Sequence, residues 1–452
     1  MWRRWTRAFA RSRWAAIILR IRERAISAAF TGSLTGVSHV RTDVRLLFAT
    51  RIARLFAYGF LSVVLVLYMA ELGLTENRIG LLLTLTLAGD TIISLGITTT
   101  ADRIGRKGML IAGAALVVFA GALFALTNNF VLLLVAATIG VISPSGSDVG
   151  PFLSIEQAAL SQLISAEQRT RVFAWYNLVG SFATAVGALT GGVLAQSLQG
   201  AGISSLGSYR VIVMVYAAMG AVLSFLFALL SPAVEAPRAR KAGVSGPAKR
   251  RIYDILGLPR SGPVVLKLSA LFSLDAFAGG FILQSIVAYW FHIRYGVQPA
   301  MLGAIFFGGN ILAGVSALSA SWLARRIGLI KTMVFTHIPS NVLLILVPLM
   351  PNLPLAIAML LLRFSISQMD VPTRQSYTMA VVDPDERSAA GGVTAVARSA
   401  GSALAPALAG RLISASMINA PFFLAGGLKI VYDLLLYRAF KARGESSVVQ
   451  RK

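Results

Sequence analysis

Long apolar stretches separated by short polar connections run through most of this chain. Twelve of them approach or exceed the roughly 20 residues that cross a bilayer as a helix. They lie at about 46–71, 78–100, 108–127, 130–164, 171–197, 210–231, 264–293, 300–323, 331–350, 354–381, 388–415 and 420–438. Six lie on each side of residues 232–263, which are rich in Pro, Gly, Lys and Arg. The pattern predicts an all-α membrane protein with twelve transmembrane helices in two six-helix bundles.

The polar segments divide the chain into five parts and set its orientation. We predict a basic N-terminal tail (1–45), a first bundle (46–231), a linker (232–263), a second bundle (264–438) and a C-terminal tail (439–452). Outside the N-terminal tail, 21 Lys and Arg residues of the connecting segments fall on the side of the linker and three on the opposite side. Because short cytoplasmic loops carry the excess of positive charge, we predict that the linker and both termini are cytoplasmic.

The N-terminal tail carries ten arginines and only two acids, with Trp and Phe interleaved. This composition is typical of a segment lying on anionic lipid headgroups. Two alternatives are an organellar transit peptide and a start codon assigned too far upstream. We expect the protein itself to reside in a plasma membrane or a bacterial inner membrane.

The amino-acid composition argues against several classes of function. Hydrophobic residues make up 56% of the chain and charged residues 13%, so most of the surface faces lipid. The chain has no cysteine and only three scattered histidines, which argues against disulfides and zinc or iron centres. No Gly-rich loop ends in Gly-Lys-Ser/Thr, so ATP hydrolysis is not predicted. The net charge of +24 comes from loops and tails, and we predict neither a cofactor nor a nucleic-acid partner.

The two halves of the chain resemble each other. Residues 54–60 recur as 275–281, residues 101–105 as 324–328, and residues 156–157 as 374–375, at offsets of 221, 223 and 218. Three blocks in the same order at nearly one offset indicate a duplicated unit. We therefore predict two bundles related by an axis along the membrane normal, with a substrate cavity between them.

The connection between spans two and three reads Ala-Asp-Arg-Ile-Gly-Arg-Lys at residues 101–107. It resembles the signature loop of the major facilitator superfamily, although Thr98 stands where that family has a leading Gly. The resemblance implies the twelve-helix facilitator fold, and it implies that this loop latches the cytoplasmic side. The implied latch residues are Asp102, Arg103, Gly105, Arg106 and Lys107. In the alternative interpretation, the basic residues only set the topology.

Small residues recur in spans five and eleven, at Gly187, Gly191 and Gly192 and at Pro406 and Gly410. Glycines four residues apart let helices approach closely, and a proline adds a bend. The pattern resembles a motif of proton-coupled exporters in the same family. Helix packing alone is the alternative explanation.

Six ionisable residues share one depth in the predicted bilayer, namely Arg54, Asp90, Glu156, Asp275, Arg374 and Arg398. At about 1.5 Å per residue they lie roughly 14–18 Å from the cytoplasmic surface, which is half of a ~30 Å core. The family resemblance places them on cavity and interface helices. We predict three pairs, Arg54 with Glu156, Asp275 with Arg374, and Asp90 with Arg398 across the interface. Static bridges between helices are the alternative to a role in transport.

Other polar residues in the spans are predicted to have secondary roles. Gln157 and Gln375, beside the central charges, are predicted to form hydrogen bonds with the substrate. Lys429 and Asp433, four apart in span twelve, are predicted to neutralise each other. We expect Arg51 to reach the cytoplasmic headgroups and Arg363, Arg411 and Asp148 to lie nearer the outer surface. Residues 143–151 contain two prolines and two glycines, which predicts a break in span four, with a milder break opposite it at residues 370–372.

These observations predict a secondary active transporter of a small organic molecule, driven by protons and working as a functional monomer through alternating access. Export is favoured over import, and import of an organic anion or zwitterion is the alternative. Among Glu156, Asp90 and Asp275, the sequence does not single out the proton carrier. A membrane enzyme or a transport-inactive sensor is disfavoured because the chain has neither a catalytic cluster nor a large soluble domain.

Overall fold

The computed structural model describes residues 38–148, 150–235, 258–383 and 386–449. Within these ranges the regular structure is entirely helical, which confirms the predicted class. The helices are α1 (Ser38–Ser62), α2 (Leu65–Glu71), α3 (Glu76–Ile104), α4 (Arg106–Leu126), α5 (Phe130–Ile139), α6 (Phe152–Leu163), α7 (Ala166–Gly200), α8 (Ser205–Ala228), α9 (Gly262–Gly280), α10 (Gln284–Tyr295), α11 (Pro299–Ile327), α12 (Leu329–Leu346), α13 (Leu353–Ser367), α14 (Asp370–Val381), α15 (Arg387–Ser414) and α16 (Ala420–Val449). Short 3-10 turns follow at Pro232–Val234 and Val347–Leu349.

Nine spans in the described part are long and apolar enough to cross a membrane, and ten if the bent pair α1–α2 counts as one. The other two predicted spans are the fourth and the eleventh. The fourth is split into α5 and α6, which have only 10 and 12 residues. The eleventh, α15, has 28 residues but many of them are small or polar. The chain is thus a multi-pass integral membrane protein, and the count of twelve stays a prediction.

The predicted break in span four is confirmed, since α5 ends at Ile139 and α6 begins only at Phe152. Gly146 and Gly150 in this break have φ of +67° and +81°, a conformation that favours glycine. The milder break in span ten lies between α13 and α14, just before the predicted position. Two further breaks, α1–α2 and α9–α10, were not predicted. The four breaks fall in the first and fourth spans of each half, as expected of a duplicated unit.

Helical structure extends beyond two predicted boundaries. Helix α1 begins at Ser38, inside the predicted tail, and α16 runs to Val449. At the N-terminal side, Asp43 is buried and accepts hydrogen bonds from the backbone N–H and the hydroxyl of Ser231, at 2.9 and 2.5 Å. This contact ties the start of α1 to the end of α8. Residues 1–37 of the predicted tail and 236–257 of the linker lie outside the described residues.

We name the end of the bundle that carries Gly105 and Gly328 the inner end, following the predicted orientation. Hydrogen bonds near the opposite, outer end join the two halves. Gln284 donates to the Ser62 hydroxyl at 2.8 Å, and the Tyr289 hydroxyl donates to Glu76 at 3.1 Å. The halves therefore contact each other at their outer ends.

The glycines singled out in the sequence lie at close helix contacts. A Cβ on Gly187 or Gly191 would overlap backbone of α1 in the same half. A Cβ on Gly192 would overlap the carbonyl group of Pro299 in the other half. Pro406 and Gly410 of α15 approach the backbone of α3 across the interface. The small residues thus serve both packing within a half and contact between halves.

Candidate substrate and proton pathway

In the first half, Arg54 of α1 and Glu156 of α6 form the predicted pair, with Nη2 and Oε2 2.5 Å apart. Both side chains are fully buried. Glu156 also accepts hydrogen bonds from the Tyr176 hydroxyl at 2.5 Å and the Thr50 hydroxyl at 3.0 Å. Three donors therefore stabilise this carboxylate in its ionised form.

Arg51 and Asp148 do not reach the membrane surfaces, so both assignments were wrong. Arg51 is buried, and its Nη1 lies 2.7 Å from Asp148 Oδ2, while its Nε donates to the Tyr176 carbonyl at 3.0 Å. Asp148 also lies 3.5 Å from Arg54 Nη1. The reason is the break in span four, which brings Asp148 towards α1. Periodicity does not determine the path of such an irregular segment.

The predicted pair of Asp90 with Arg398 is wrong. Asp90 Oδ1 accepts the backbone N–H of Gly150 at 2.6 Å and the hydroxyl of Ser94 at 3.3 Å. Among the described residues, no Lys, Arg or His forms an ion pair with Asp90. Glu156, Asp275 and Asp370 each have a cationic partner. Asp90 is therefore the acid of the predicted layer that no described cation compensates.

In the second half, cations converge on Asp275 of α9. Lys429 Nζ lies 2.5 Å from Oδ1, and the Nη1 atoms of Arg374 and Arg398 lie 3.2 and 3.1 Å from Oδ2. The ring nitrogen Nε2 of His337 lies 4.0 Å from Oδ1. The predicted Asp275–Arg374 pair is thus present, and Arg398 joins it because its side chain turns into its own half.

Sequence reasoning missed two members of this cluster, Asp370 and His337, and misassigned two others, Lys429 and Asp433. Asp370 pairs with Arg374 at 2.8 Å, and their spacing of four residues on one helix could have revealed the pair. Asp433 does not pair with Lys429. It contacts His337 Nδ1 at 3.0 Å and accepts a hydrogen bond from Asn341 at 3.3 Å. Nothing in the local sequence connects His337 with Asp433, which is 96 residues away.

The remaining candidates occupy different environments. Gln157 is partly buried and Gln375 is exposed, and neither side chain forms a hydrogen bond with the described residues. Arg411 is exposed, in agreement with its expected surface position. Arg363 is partly exposed, with its Nε buried and without a hydrogen-bond partner, and its expected position nearer the outer surface stays a prediction. It adds a further cation to the second half.

The latch residues that the structure describes bind groups of the first half and of the start of the linker. Gly105, with φ +127°, separates α3 from α4. Arg106 Nη1 donates to Gln162 at 3.0 Å, and Lys107 Nζ donates to the Leu230 carbonyl at 2.8 Å. The backbone N–H groups of Arg106 and Lys107 donate to Glu235 at 2.6 and 3.2 Å, which caps α4. Arg106 and Lys107 therefore form structural contacts in addition to any effect of their charge on membrane topology. The side chains of Asp102 and Arg103 lie outside the described part, and a latch between the halves stays a prediction.

A helical membrane protein with two resembling halves, each of which holds a cluster of buried charges, has the architecture of a membrane transporter. A family model described as Major Facilitator Superfamily matches residues 47–406, and the chain belongs to this family. The family and its folds are those of transporters.

Individual proteins are also similar to this chain over most of its length. The chain is 30% identical over 421 residues to the uncharacterized membrane protein YJR124C of Saccharomyces cerevisiae, covering 87% of this chain and 93% of that one. It is 22% identical over 391 residues to the quinolone resistance protein NorA of Staphylococcus aureus, covering 85% and 94%. The crystal structure of a bacterial homologue of the human lysosomal transporter Spinster has a TM-score of 0.65 at 15% identity, covering 90% and 96%. This last similarity shows the fold alone.

Proposed function

We propose that this chain is a proton-coupled secondary active transporter that exports a small organic molecule. In this proposal the halves 46–231 and 264–438 rock about the linker and expose the charged layer to each side in turn. Protons moving down their gradient drive the substrate out, and Asp90 carries the proton.

The single observation behind the proposal is the environment of Asp90. A carboxylate at mid-depth is costly when ionised without a cation and inexpensive when protonated. Glu156 and Asp275, in contrast, are held in the ionised form by Arg54 and by three cations around Asp275. A group that changes protonation as access alternates must be stable in both forms. Asp90 meets this requirement better than the other two acids.

Two considerations favour export. A relative is a quinolone resistance protein, and removal of a drug from the cell is a direct route to resistance. The small-residue contacts of α7 and α15 resemble the packing motif of exporters. Import of an organic anion or zwitterion is the second candidate, because Arg363 and Arg398 leave a surplus of positive charge in the second half. We further propose a functional monomer in a plasma or bacterial inner membrane.

The test uses the full chain in proteoliposomes with a pH-sensitive dye inside. A broad panel of small organic molecules is first screened for counterflow, in which labelled compound enters against unlabelled compound. For a compound that exchanges, the Asp90→Asn variant should retain counterflow at saturating concentrations of that compound but lose accumulation driven by a proton gradient. The Ser94→Ala variant, which removes only a hydrogen bond to Asp90, should keep both activities.

Three outcomes contradict the proposal in different ways. Absence of exchange for every compound would refute transport by this chain. Gradient-driven accumulation by Asp90→Asn with the wild-type pH dependence would refute Asp90 as the proton carrier. Accumulation only in the direction of the proton gradient would replace export by import.

A further inference from the structure

Asp90 and Arg398 lie at the same level on two helices that face each other. Helices α3 and α15 are antiparallel, and the Ala407 backbone N–H donates to the Thr84 hydroxyl at 2.9 Å. A Cβ at Gly80 would lie 2.6 Å from the Pro406 carbonyl oxygen. Counting along both helices from these contacts places Asp90 at the level of residues 396–401, so that along the helix axis it differs from Arg398 by no more than about one turn (~5 Å). The two residues therefore flank the same part of the interface.

Each of these charges is nevertheless held by its own half. Asp90 binds the Gly150 N–H, and Arg398 binds Asp275. The Arg398 side chain is 33% exposed, whereas the side chains of Arg374 and Lys429 around the same carboxylate are 8% and 9% exposed. Asp90 is also partly exposed. Arg398 and Asp90 therefore both border accessible space. Asp148 is also 19% exposed, but Arg51 and Arg54 compensate its charge.

The two halves carry surplus charge of opposite sign. The interior of the first half contains two arginines and three acids, namely Arg51, Arg54, Asp90, Asp148 and Glu156. The interior of the second half contains four cationic Lys and Arg residues and three acids, namely Arg363, Arg374, Arg398, Lys429, Asp275, Asp370 and Asp433. The first half is therefore negative when Asp90 is ionised, and the second half is positive by the charge of Arg363, whose side chain is partly exposed. A low-dielectric cleft between them orients a ligand that has charges of both signs.

We propose that the space between Asp90 and Arg398 binds a zwitterionic small molecule, with its cationic group at Asp90 and its anionic group at Arg398. This proposal rests on the proposed transport function and names its substrate class. The guanidinium of Arg398 offers paired N–H donors to a carboxylate. Asp275 keeps Arg374 and Lys429 as partners when Arg398 turns to the ligand.

The same arrangement explains coupling between substrate and proton. The cationic group and a proton both neutralise the Asp90 carboxylate, so they compete for it. Binding of the zwitterion therefore releases the proton of Asp90, and protonation releases the zwitterion. Such mutual exclusion is the requirement for exchange of substrate against protons.

The experiment measures binding to purified full-length protein with matched sets of probes. Each set contains one scaffold in three charge forms: phenylalanine, phenethylamine and 3-phenylpropionate, or tryptophan, tryptamine and indole-3-propionate. Wild-type protein should bind the zwitterion about 10- to 100-fold more tightly than either singly charged form, the effect of one charge-assisted contact. In unbuffered solution the zwitterion should release a proton on binding, and the anion should not.

Two variants serve as controls for each other. Asp90→Asn should lose the advantage of the zwitterion over the anionic form and the proton release, while Arg398→Gln should lose its advantage over the cationic form. Equal weakening of all three forms by both variants would overturn the proposal, as would wild-type preference for a singly charged form. Preference for uncharged compounds in the counterflow screen would overturn the zwitterion site while leaving transport intact. Loss of all exchange would refute transport itself.

Discussion

Replacement of Glu156 by Gln tests whether this carboxylate is needed for stability, in contrast to Asp90, the proposed proton carrier. Glu156 is fully buried and accepts hydrogen bonds from Arg54, Tyr176 and Thr50. The Glu156→Gln variant keeps nearly the same shape but removes the negative charge and turns one acceptor into a donor. Asp148 is then the anionic partner that Arg54 retains, with Asp148 Oδ1 3.5 Å from Arg54 Nη1.

The expected loss of stability arises because the variant leaves Arg54, a buried cation, without its closest ion-pair partner. Removing one member of a buried ion pair typically costs about 3–5 kcal/mol. The Asp90→Asn variant is the matched comparison, since it also replaces a mid-depth carboxylate by an amide. An asparagine oxygen still accepts the Gly150 N–H, and no described cation loses an ion-pair partner. We therefore expect a loss below about 1 kcal/mol for this variant.

The assay is thermal unfolding of the purified variants in one detergent at neutral pH, followed by size-exclusion chromatography after heating. Glu156→Gln should unfold several degrees below the wild type, and Asp90→Asn should unfold near it. A second variant that also replaces Arg54 by Met should regain part of the lost stability, because the buried charge is removed. Equal stability of Glu156→Gln and Asp90→Asn would refute the reasoning that Arg54 depends on Glu156.

Two further predictions concern the contact between the halves and the inner end. Gly410→Ala places a methyl group against the Glu76 carbonyl, so it should disfavour the closed outer end by about 1–3 kcal/mol and speed maleimide labelling of an Ile413→Cys reporter. Gly427→Ala, with open space around it, should leave labelling unchanged, and equal rates in both variants would contradict the packing argument. Burial raises the pKa of Glu386, but backbone N–H groups at the start of α9 and a nearby hydroxyl lower it below the ordinary 4.5 overall. Glu386 should therefore stabilise the protein relative to Glu386→Gln at neutral pH, and this advantage should disappear as the pH falls through the lowered pKa. Melting curves of both proteins at neutral pH and at pH about 3 test the sign, and an advantage that grows in acid would contradict it.

The sequence alone determined the helical membrane class and the resemblance between the halves, and it predicted one common depth for the charged layer. Apolar length identifies a span, and the constant rise of a helix converts residue number into depth. For the same reason, the pairs Arg54–Glu156 and Asp275–Arg374 could be predicted from depth and repeat symmetry. The break in span four followed from proline and glycine, whose backbone limits are local properties.

Only the tertiary structure decided which side chains at one depth contact each other. Depth does not state which way a side chain points around its helix axis, so Asp90 and Arg398 were paired although each turns into its own half. The irregular break brought Asp148 to Arg51, and packing of distant helices brought His337 to Asp433. Pairing depends on distances of a few ångströms between helices, and these distances arise from the packing of the whole bundle. The resulting separation of Asp90 from every described cation distinguishes it from Glu156 and Asp275.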